Sequence, residues 1–442
     1  MSLLKKTFAP FIGHVSFVAV FLFSSSAFAG LNIESWQTKA GAKVMFVESQ
    51  QLPILDIQMT FEAGSARDGT ALGLASFTSD LLGTETQTMN EDQLAEAFNA
   101  LGAQFSVSAN RDSATVSLRT LTRPEIQQKA VSTLMEVLAK PKFDAKIFER
   151  ERQRLLTSLK QKAVKPQSMA SDLLWEALYG DHPYAHPTVG KPESLQALNV
   201  AQLKQFYQDH YNAKNAVIAI VGKISKSQAQ QIAEQLSAAL PKSNKVLQPI
   251  PKPKGLSKPV LAKKDFKSTQ TYYHLAQLGI ERGNEDYIPL FVGNQLFGGS
   301  GFGSYLMEEV REKRGLVYSV YSYFAPMKQN GPFIIGLSTQ NARAFEARKV
   351  VEETLENFLK DFDNERFAAI KENIIGGWPL RFDSNGKIIG YISMIGFYDL
   401  PLDYLEWFPK QVEKVTKEQV LKAWRKHIQP EKMLTVMVGE PE

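Results

Sequence analysis

A repeat constrains what this chain can fold into more than any other feature. Asn199-Val200-Ala201-Gln202-Leu203 opens a helical stretch that leads into Ala216-Val217-Ile218-Ala219-Ile220-Val221-Gly222. Far downstream, Val415-Thr416-Lys417-Glu418-Gln419-Val420 opens another that leads into Leu434-Thr435-Val436-Met437-Val438-Gly439. Each is a helix feeding an apolar strand that stops at glycine. Phe143-Asp144 before Lys146–Lys160 and Phe362-Asp363 before Glu365–Ile375 repeat in the same order. A period this long means paired domains rather than a solenoid. The length of 442 residues agrees, being too great for one ordinary core. Between the repeats, Pro241–Lys264 carries five prolines among lysines, a composition that favours extended backbone over helix. The expected organisation is a first module over 30–240, a linker over 241–264 and a second module over 265–442.

Local patterns fill in the class. Val44–Val47 and Leu55–Phe61 are expected strands. Thr70–Leu82 places Ala71, Leu74, Ala75, Thr78, Leu81 and Leu82 on one helical stripe. Asn90 is placed to cap a helix over Glu91–Leu101 that Gly102 ends. Gln104–Ser108 and Ala114–Leu118 form a hairpin around Asn110-Arg111-Asp112, which reads as a turn. The fold class that follows is α+β: two homologous modules, each an antiparallel sheet covered by helices on one face.

The first 29 residues stand apart. Lys5 and Lys6 precede an apolar run, Val15–Phe23, and Ala27-Phe28-Ala29 puts small residues where a signal peptidase reads. Cleavage is expected between Ala29 and Gly30, and the apolar run is short for a membrane span. Formal charge is +5, or +3 without Lys5 and Lys6, with both signs interleaved along the chain. That pattern lacks the clustered basic face of a nucleic-acid binder. The chain has no cysteine, which excludes disulfides, thiolate nucleophiles, Cys zinc sites and lipid attachment through Cys. Export without cysteine suits a bacterial periplasm.

Chemistry concentrates in two stretches. The first is Gly73-Leu74-Ala75-Ser76-Phe77-Thr78-Ser79-Asp80-Leu81-Leu82-Gly83-Thr84. It resembles the zinc-binding helix of the pitrilysin, or insulinase-like, metallopeptidases, which reads roughly G-L-A-H-F-L-E-H-M-L. Residues three and four apart share a helix face. Two His one turn apart bind Zn²⁺, and the Glu beside them takes a proton from the bound water. Here Ser76 and Asp80 stand at the His positions and Ser79 at the Glu position. The family's remaining ligand lies seven residues after the Glu of an E-R pair. Glu151-Arg152 supplies the pair, and Ser158 occupies the ligand position. The frame is kept and the zinc set is replaced, so no metal is expected in this chain.

The second stretch runs from Phe297-Gly298-Gly299-Ser300-Gly301-Phe302-Gly303 through Arg311-Glu312-Lys313-Arg314-Gly315-Leu316-Val317-Tyr318-Ser319. It resembles the family's second-half signature, a Gly-rich turn and helix followed by R-x-x-x-G-L-x-Y-S. The resemblance implies that Arg311 and Tyr318 hydrogen-bond substrate backbone and the oxyanion that develops during attack. An alternative keeps them structural, with Arg311 paired to a Glu and Tyr318 in the core. Gly298, Gly299, Gly301 and Gly303 lack the following Lys of a phosphate cradle. They are expected to form a flexible loop near the substrate chamber. His182 and His186 are four apart, but Pro183 and Pro187 break a helix between them. The family carries a structural turn at such a segment. Two-chain family members divide labour between an H-x-x-E-H chain and an Arg/Tyr chain. The resemblance therefore implies a non-zinc subunit, with zinc in a homologous partner and peptides as substrate. Two other readings stand beside it. One is a peptide-binding or scaffold protein. The other is a stand-alone hydrolase, for which Ser76, Ser79 and Asp80 lack a His nearby in sequence. Gln104–Ser108 is a further candidate, as an edge strand that could pair with extended peptide.

Overall fold

The computed structural model describes residues 31–243 and 245–442. The expected signal peptide lies outside the described residues. Eleven strands form two sheets among the residues described. The first sheet contains β1 (Glu34–Gln37), β2 (Lys43–Glu48), β3 (Ile54–Phe61), β4 (Gln104–Ala109), β5 (Ala114–Leu121) and β6 (Ala216–Gly222) in the order β1-β2-β6-β3-β5-β4. The second contains β7 (Val260–Asp265), β8 (Gln270–Leu278), β9 (Val320–Phe324), β10 (Pro332–Gln340) and β11 (Leu434–Gly439) in the order β7-β11-β8-β10-β9.

Apart from β1, the two orders are the same. In both, the glycine-terminated strand sits between a parallel neighbour and an antiparallel one. The repeat seen in the sequence is thus a repeat of topology. Every other ladder is antiparallel. β6 is buried along its whole length and β11 likewise, as apolar runs without alternation require. No helix or strand occupies the described residues between Leu240 and Lys258, but Val260–Lys264, expected as linker, belongs to β7. Its backbone pairs in register with Leu434–Gly439, which a proline further along would have prevented.

Helices Leu74–Leu82, Pro124–Ala139, Val200–His210 and Lys226–Ala239 bury their apolar residues with one face of the first sheet in a single core. The second half has its own aromatic centre. Trp424 is fully buried, with the rings of Phe297, Phe333 and Phe358 at 5.4, 5.7 and 4.7 Å.

The modules are interlocked, which the sequence pattern did not indicate. Helix Pro166–Tyr179 belongs to the first half, yet Ala170, Leu174 and Leu178 pack with Ala276, Ile334, Leu434 and Val436 of the second sheet. Helix Asn385–Phe397 belongs to the second half and crosses the first sheet, where Ser393 bonds Thr60 at 2.7 Å and Gln58 at 2.9 Å. Each half lends the other a helix, so the sheets are covered on more than the one face expected.

A buried carboxyl group ties this exchange together. Asp112 accepts from the Tyr184 hydroxyl, from the Lys328 main-chain N–H at 2.8 Å and from the Tyr398 hydroxyl at 3.0 Å. Beside it, the Arg111 guanidinium lies over the Trp175 ring at 3.4 Å and donates to the Tyr184 carbonyl at 2.9 Å. Asn110-Arg111-Asp112 does form the expected turn, with Asn110 accepting from the N–H groups of Asp112 and Ser113. The same turn also joins the halves.

Candidate functional site

Helix Leu74–Leu82 starts four residues later than its apolar stripe suggests. Gly73 adopts φ +91°, a conformation open to glycine, so the helix cannot extend back through it. Asp68 then caps the start, accepting from the N–H groups of Gly73 and Ala75 at 2.7 Å each. Asp68 is buried, and desolvation outweighs these two bonds, raising its pKa to about 7.

The four degenerate zinc positions divide between the interior and a cleft. Ser79 is buried, and its hydroxyl has no hydrogen-bond partner, although it lies near enough to Tyr211 to bear on that phenol's ionisation. Ser76 is buried as well. Asp80 and Ser158 line a cleft of about 380 Å³ with Glu91, Glu151 and Arg154. Asp80 is open to solvent yet recessed in that cleft. Desolvation raises its carboxyl above the ordinary range, with Glu151 adding to the shift and Arg154 opposing it. Glu151 itself is held by Arg150 at 2.8 Å and Arg154 at 3.2 Å. A zinc site needs three or four deprotonated N, S or O ligands. Two buried or neutral hydroxyls, one carboxyl and an exposed serine do not fit that need. No group of three or more His, Cys, Asp or Glu able to hold a metal occurs among the described residues. Nor does Ser79 have the base within reach that a nucleophile requires.

His182 is committed elsewhere. Its Nδ1 accepts from the Tyr184 N–H at 3.1 Å, and its Nε2 bonds the Pro251 carbonyl at 2.7 Å, which makes Nε2 the protonated nitrogen. Burial lowers its pKa. This histidine fastens the extended segment around Pro251 to the turn at Pro183–Ala185. Metal ligation would require one of those bonds to break.

The second stretch has a different character. Ser304 is buried and starts a helical segment, its hydroxyl donating to the Gly301 carbonyl at 2.7 Å. Met307–Glu312 is wound as a π-helix, with Lys313 N–H reaching the Glu308 carbonyl at 2.9 Å. The segment then stops abruptly. Gly315 has φ +58° and donates to the Arg311 carbonyl at 2.8 Å, while Leu316 donates to the Val310 carbonyl at 3.0 Å. The Gly315 bond is that of an αL helix stop, from the residue after the cap back to the third-last helical carbonyl, and the Leu316 bond closes a wider turn behind it. The R-x-x-x-G-L-x-Y spacing therefore has a physical meaning. The glycine reverses the chain so that Tyr318 returns beside Arg311.

The Arg311 guanidinium sits over the Tyr318 ring at 5.1 Å and over the Phe302 ring at 4.8 Å. Tyr318 is 86% exposed and Phe302 69%. Two of the three acids on the same helix are already used. Glu308 pairs with Lys313 and Arg366, and Glu309 with Lys313 and Arg314. Arg311 makes no ion pair among the described residues. Neither half of the structural alternative matches this geometry, since Arg311 lacks a Glu and Tyr318 lies outside the core. The glycines divide. Gly298 and Gly299 lie in a π-helical turn, Gln295–Gly299, where a Cβ on Gly298 would come within 2.5 Å of Ser322. They are packing glycines rather than part of a loop. Gly301 and Gly303, at φ +70° and +91°, carry the loop that presents Phe302. Tyr321 and Tyr323 on β9 continue the exposed rings, stacked at 5.9 Å. Alternation of tyrosines outward with Val320 and Ser322 inward was legible in the sequence as a half-buried strand.

Arg311 and Tyr318 are not among the walls of the cleft that holds Asp80 and Ser158. β4, with alternating exposure, forms the free edge of the first sheet.

Fold and site together define a duplicated two-sheet peptidase scaffold with a replaced zinc set. The comparisons with known proteins agree. The family model described as insulinase (peptidase family M16) matches residues 43–192, and that described as peptidase M16 inactive domain matches residues 197–374. A peptidase M16 inactive domain from Pseudomonas fluorescens has a TM-score of 0.90 at 40% identity, covering 93% of this chain and 98% of that one. A Helicobacter pylori protease reaches 0.85 at 17% identity over 92% and 99%, a likeness of fold alone. A non-peptidase homologue, also from Helicobacter pylori, is 26% identical over 86% of this chain and 88% of its own. An uncharacterized zinc protease of Bacillus subtilis is 25% identical over 80% and 86%. The chain belongs to the M16, or insulinase, peptidase family, with the residues at the family's zinc positions replaced.

Proposed function

We propose that this chain is the non-zinc subunit of an exported, two-chain zinc peptidase, to which it contributes Arg311 and Tyr318. The observation that carries the reading is an arginine without an ion partner, held between two exposed rings by a helix stop. Such a guanidinium and a neighbouring phenol are oriented donors for a peptide carbonyl and for the oxyanion formed when water attacks it. Zinc and the water-activating Glu would come from a homologous partner. The free edge of β4 supports pairing with an extended peptide by strand addition. Location in the periplasm rests on the segment ending at Ala29.

Peptide cleavage by this chain, by a zinc-bearing homologue and by their mixture tests the reading, with zinc measured in each. Activity is expected from the mixture, with metal only in the homologue. Arg311→Ala or Tyr318→Phe should then lower turnover about 100-fold, the effect of removing one oxyanion donor. Turnover unchanged by both substitutions would exclude the proposed role. N-terminal sequencing of the mature chain from the periplasmic fraction should begin at Gly30.

A second reading is favoured by the likeness to the Helicobacter pylori non-peptidase homologue. In it the same surface holds peptides without cleaving them. Peptide binding that survives in a mixture with no turnover would favour it.

A further inference from the structure

A cavity elsewhere in the second half plays no part in the function proposed above. Helix Tyr287–Asn294, the turn Trp378–Arg381 and helices Asn385–Phe397 and Tyr404–Lys414 enclose about 460 Å³. That lies within the range of about 300–1,000 Å³ of small-ligand sites. Its walls are largely aromatic, and Trp378 lies flat on Phe408 at 4.2 Å.

The charged groups around it are unbalanced. Arg282 and Arg381 both line the cavity, and neither has a carboxylate partner among the described residues. Arg282 lies over the Tyr287 and Tyr398 rings at 5.7 and 5.5 Å, and Arg381 over Trp378 and Phe291 at 5.7 and 6.0 Å, so both are held by rings and keep an unneutralised charge for an incoming anion. Lys387 also lines the cavity but is taken by Asp383 at 3.0 Å and the Leu380 carbonyl at 2.8 Å.

Glycines on the crossing helix supply an independent observation. Gly396 is required by packing, because a Cβ would come within 2.6 Å of Val217 and 2.8 Å of Met45. Gly390 is not so required: a Cβ there would meet nothing within 4 Å, and its φ is not positive. Glycine inside a helix costs stability relative to alanine. Gly390 lines the cavity at an exposed position, so a side chain there would project into that space.

We propose that this cavity binds a carboxylate carried on an aromatic body, the chemistry of a peptide ending in a free C-terminal Phe or Tyr. Arg282 and Arg381 take the carboxylate as planar, multi-donor partners. The half-buried rings of Phe291 and Tyr391, backed by the buried Trp378, take the aromatic side chain. An anion alone would have no use for these rings, and an uncharged aromatic no use for two guanidinium groups without a carboxylate.

The chain alone suffices for the test, by saturation-transfer NMR and titration calorimetry with N-acetylphenylalanine, its amide and N-acetylalanine. The phenylalanine acid is expected to bind at least tenfold more tightly than the other two. Arg381→Gln, at an exposed position, should weaken it at least tenfold. Gly390→Leu should abolish binding while leaving the thermal midpoint unchanged or raised, which verifies the fold. Absence of binding, equal binding of acid and amide, or binding that survives Gly390→Leu in a folded protein overturns the proposal.

Discussion

The two halves place the same elements in the same order and finish them differently. After β3 come helices Leu74–Leu82 and Glu91–Asn99, then the hairpin β4–β5. After β8 come helix Tyr287–Asn294 and the segment bearing Arg311, then β9 and β10. In the first half the second of these helices is a regular α-helix with a full capping box between Asn90 and Gln93. Its Glu91 is closed off by two bonds from Arg150, at 2.7 and 2.8 Å. The counterpart in the second half is widened to a π-helix and carries an arginine without an ion partner, followed by exposed rings. Such widened turns recur at functional sites because they re-aim side chains at a cost in helix regularity. One copy of the scaffold has closed its surface with ion pairs, and the other holds donors ready for another molecule.

The largest effect should come from undoing what holds the copies together. Asp112→Ala leaves the Tyr184 hydroxyl, the Tyr398 hydroxyl and the Lys328 N–H without their acceptor. Stability measured by urea unfolding should fall by about 3–5 kcal/mol. Tyr398→Phe removes one of the three bonds and should cost about 1 kcal/mol. If the two variants cost the same, the junction depends on helix exchange alone.

A second test separates the halves by pH. Asp68 belongs to the first half only, and burial raises its pKa from an ordinary 3.8 to about 7. The native state therefore holds this proton over a range where the unfolded chain has released it. The contribution of Asp68 to stability is most favourable below pH 3.8 and is lost as pH rises to about 7. At about 1.4 kcal/mol per unit the loss is up to about 4 kcal/mol. Asp68→Asn lacks this decline. The stability of Asp68→Asn relative to the parent should therefore rise across that window, as read by urea midpoints at several pH values. A flat difference would mean that the two backbone bonds at Gly73 and Ala75 offset the desolvation.

Much of this was legible in the sequence, and for identifiable reasons. The apolar runs of β6 and β11, the Asn90 cap and the hairpin Gln104–Ala109 to Ala114–Leu121 follow from local pattern and appeared within a few residues of expectation. The replaced zinc residues were readable because a helix face is a matter of spacing. The exchange of helices was not readable. Pro166–Tyr179 and Asn385–Phe397 have the weak amphipathicity of helices packed on several sides, and nothing local says which sheet covers them. The Asp112 junction was missed because a turn signal explains Asn110-Arg111-Asp112 completely at short range. Its partners Tyr184, Lys328 and Tyr398 lie 72, 216 and 286 residues away. Gly315 could have been recognised, since a glycine just past a helical run is the pattern of an αL helix stop.

The smallest expected effect sharpens the comparison most. Tyr318 is exposed, and its hydroxyl is not needed by any core contact, so Tyr318→Phe should change stability by no more than about 0.5 kcal/mol. Arg311→Gln removes two exposed cation–π contacts, each worth about 0.5–1 kcal/mol at most. Gly315→Ala should cost about 1 kcal/mol, since φ +58° opposes a side chain there. The ranking places the structural burden on the glycine that turns the chain and leaves the two donors free of it. Thermal unfolding of the three variants measures this directly. A Tyr318→Phe variant that cost as much as Gly315→Ala would make the phenol a structural group. The open half would then be as closed as its counterpart, with nothing held ready for a substrate.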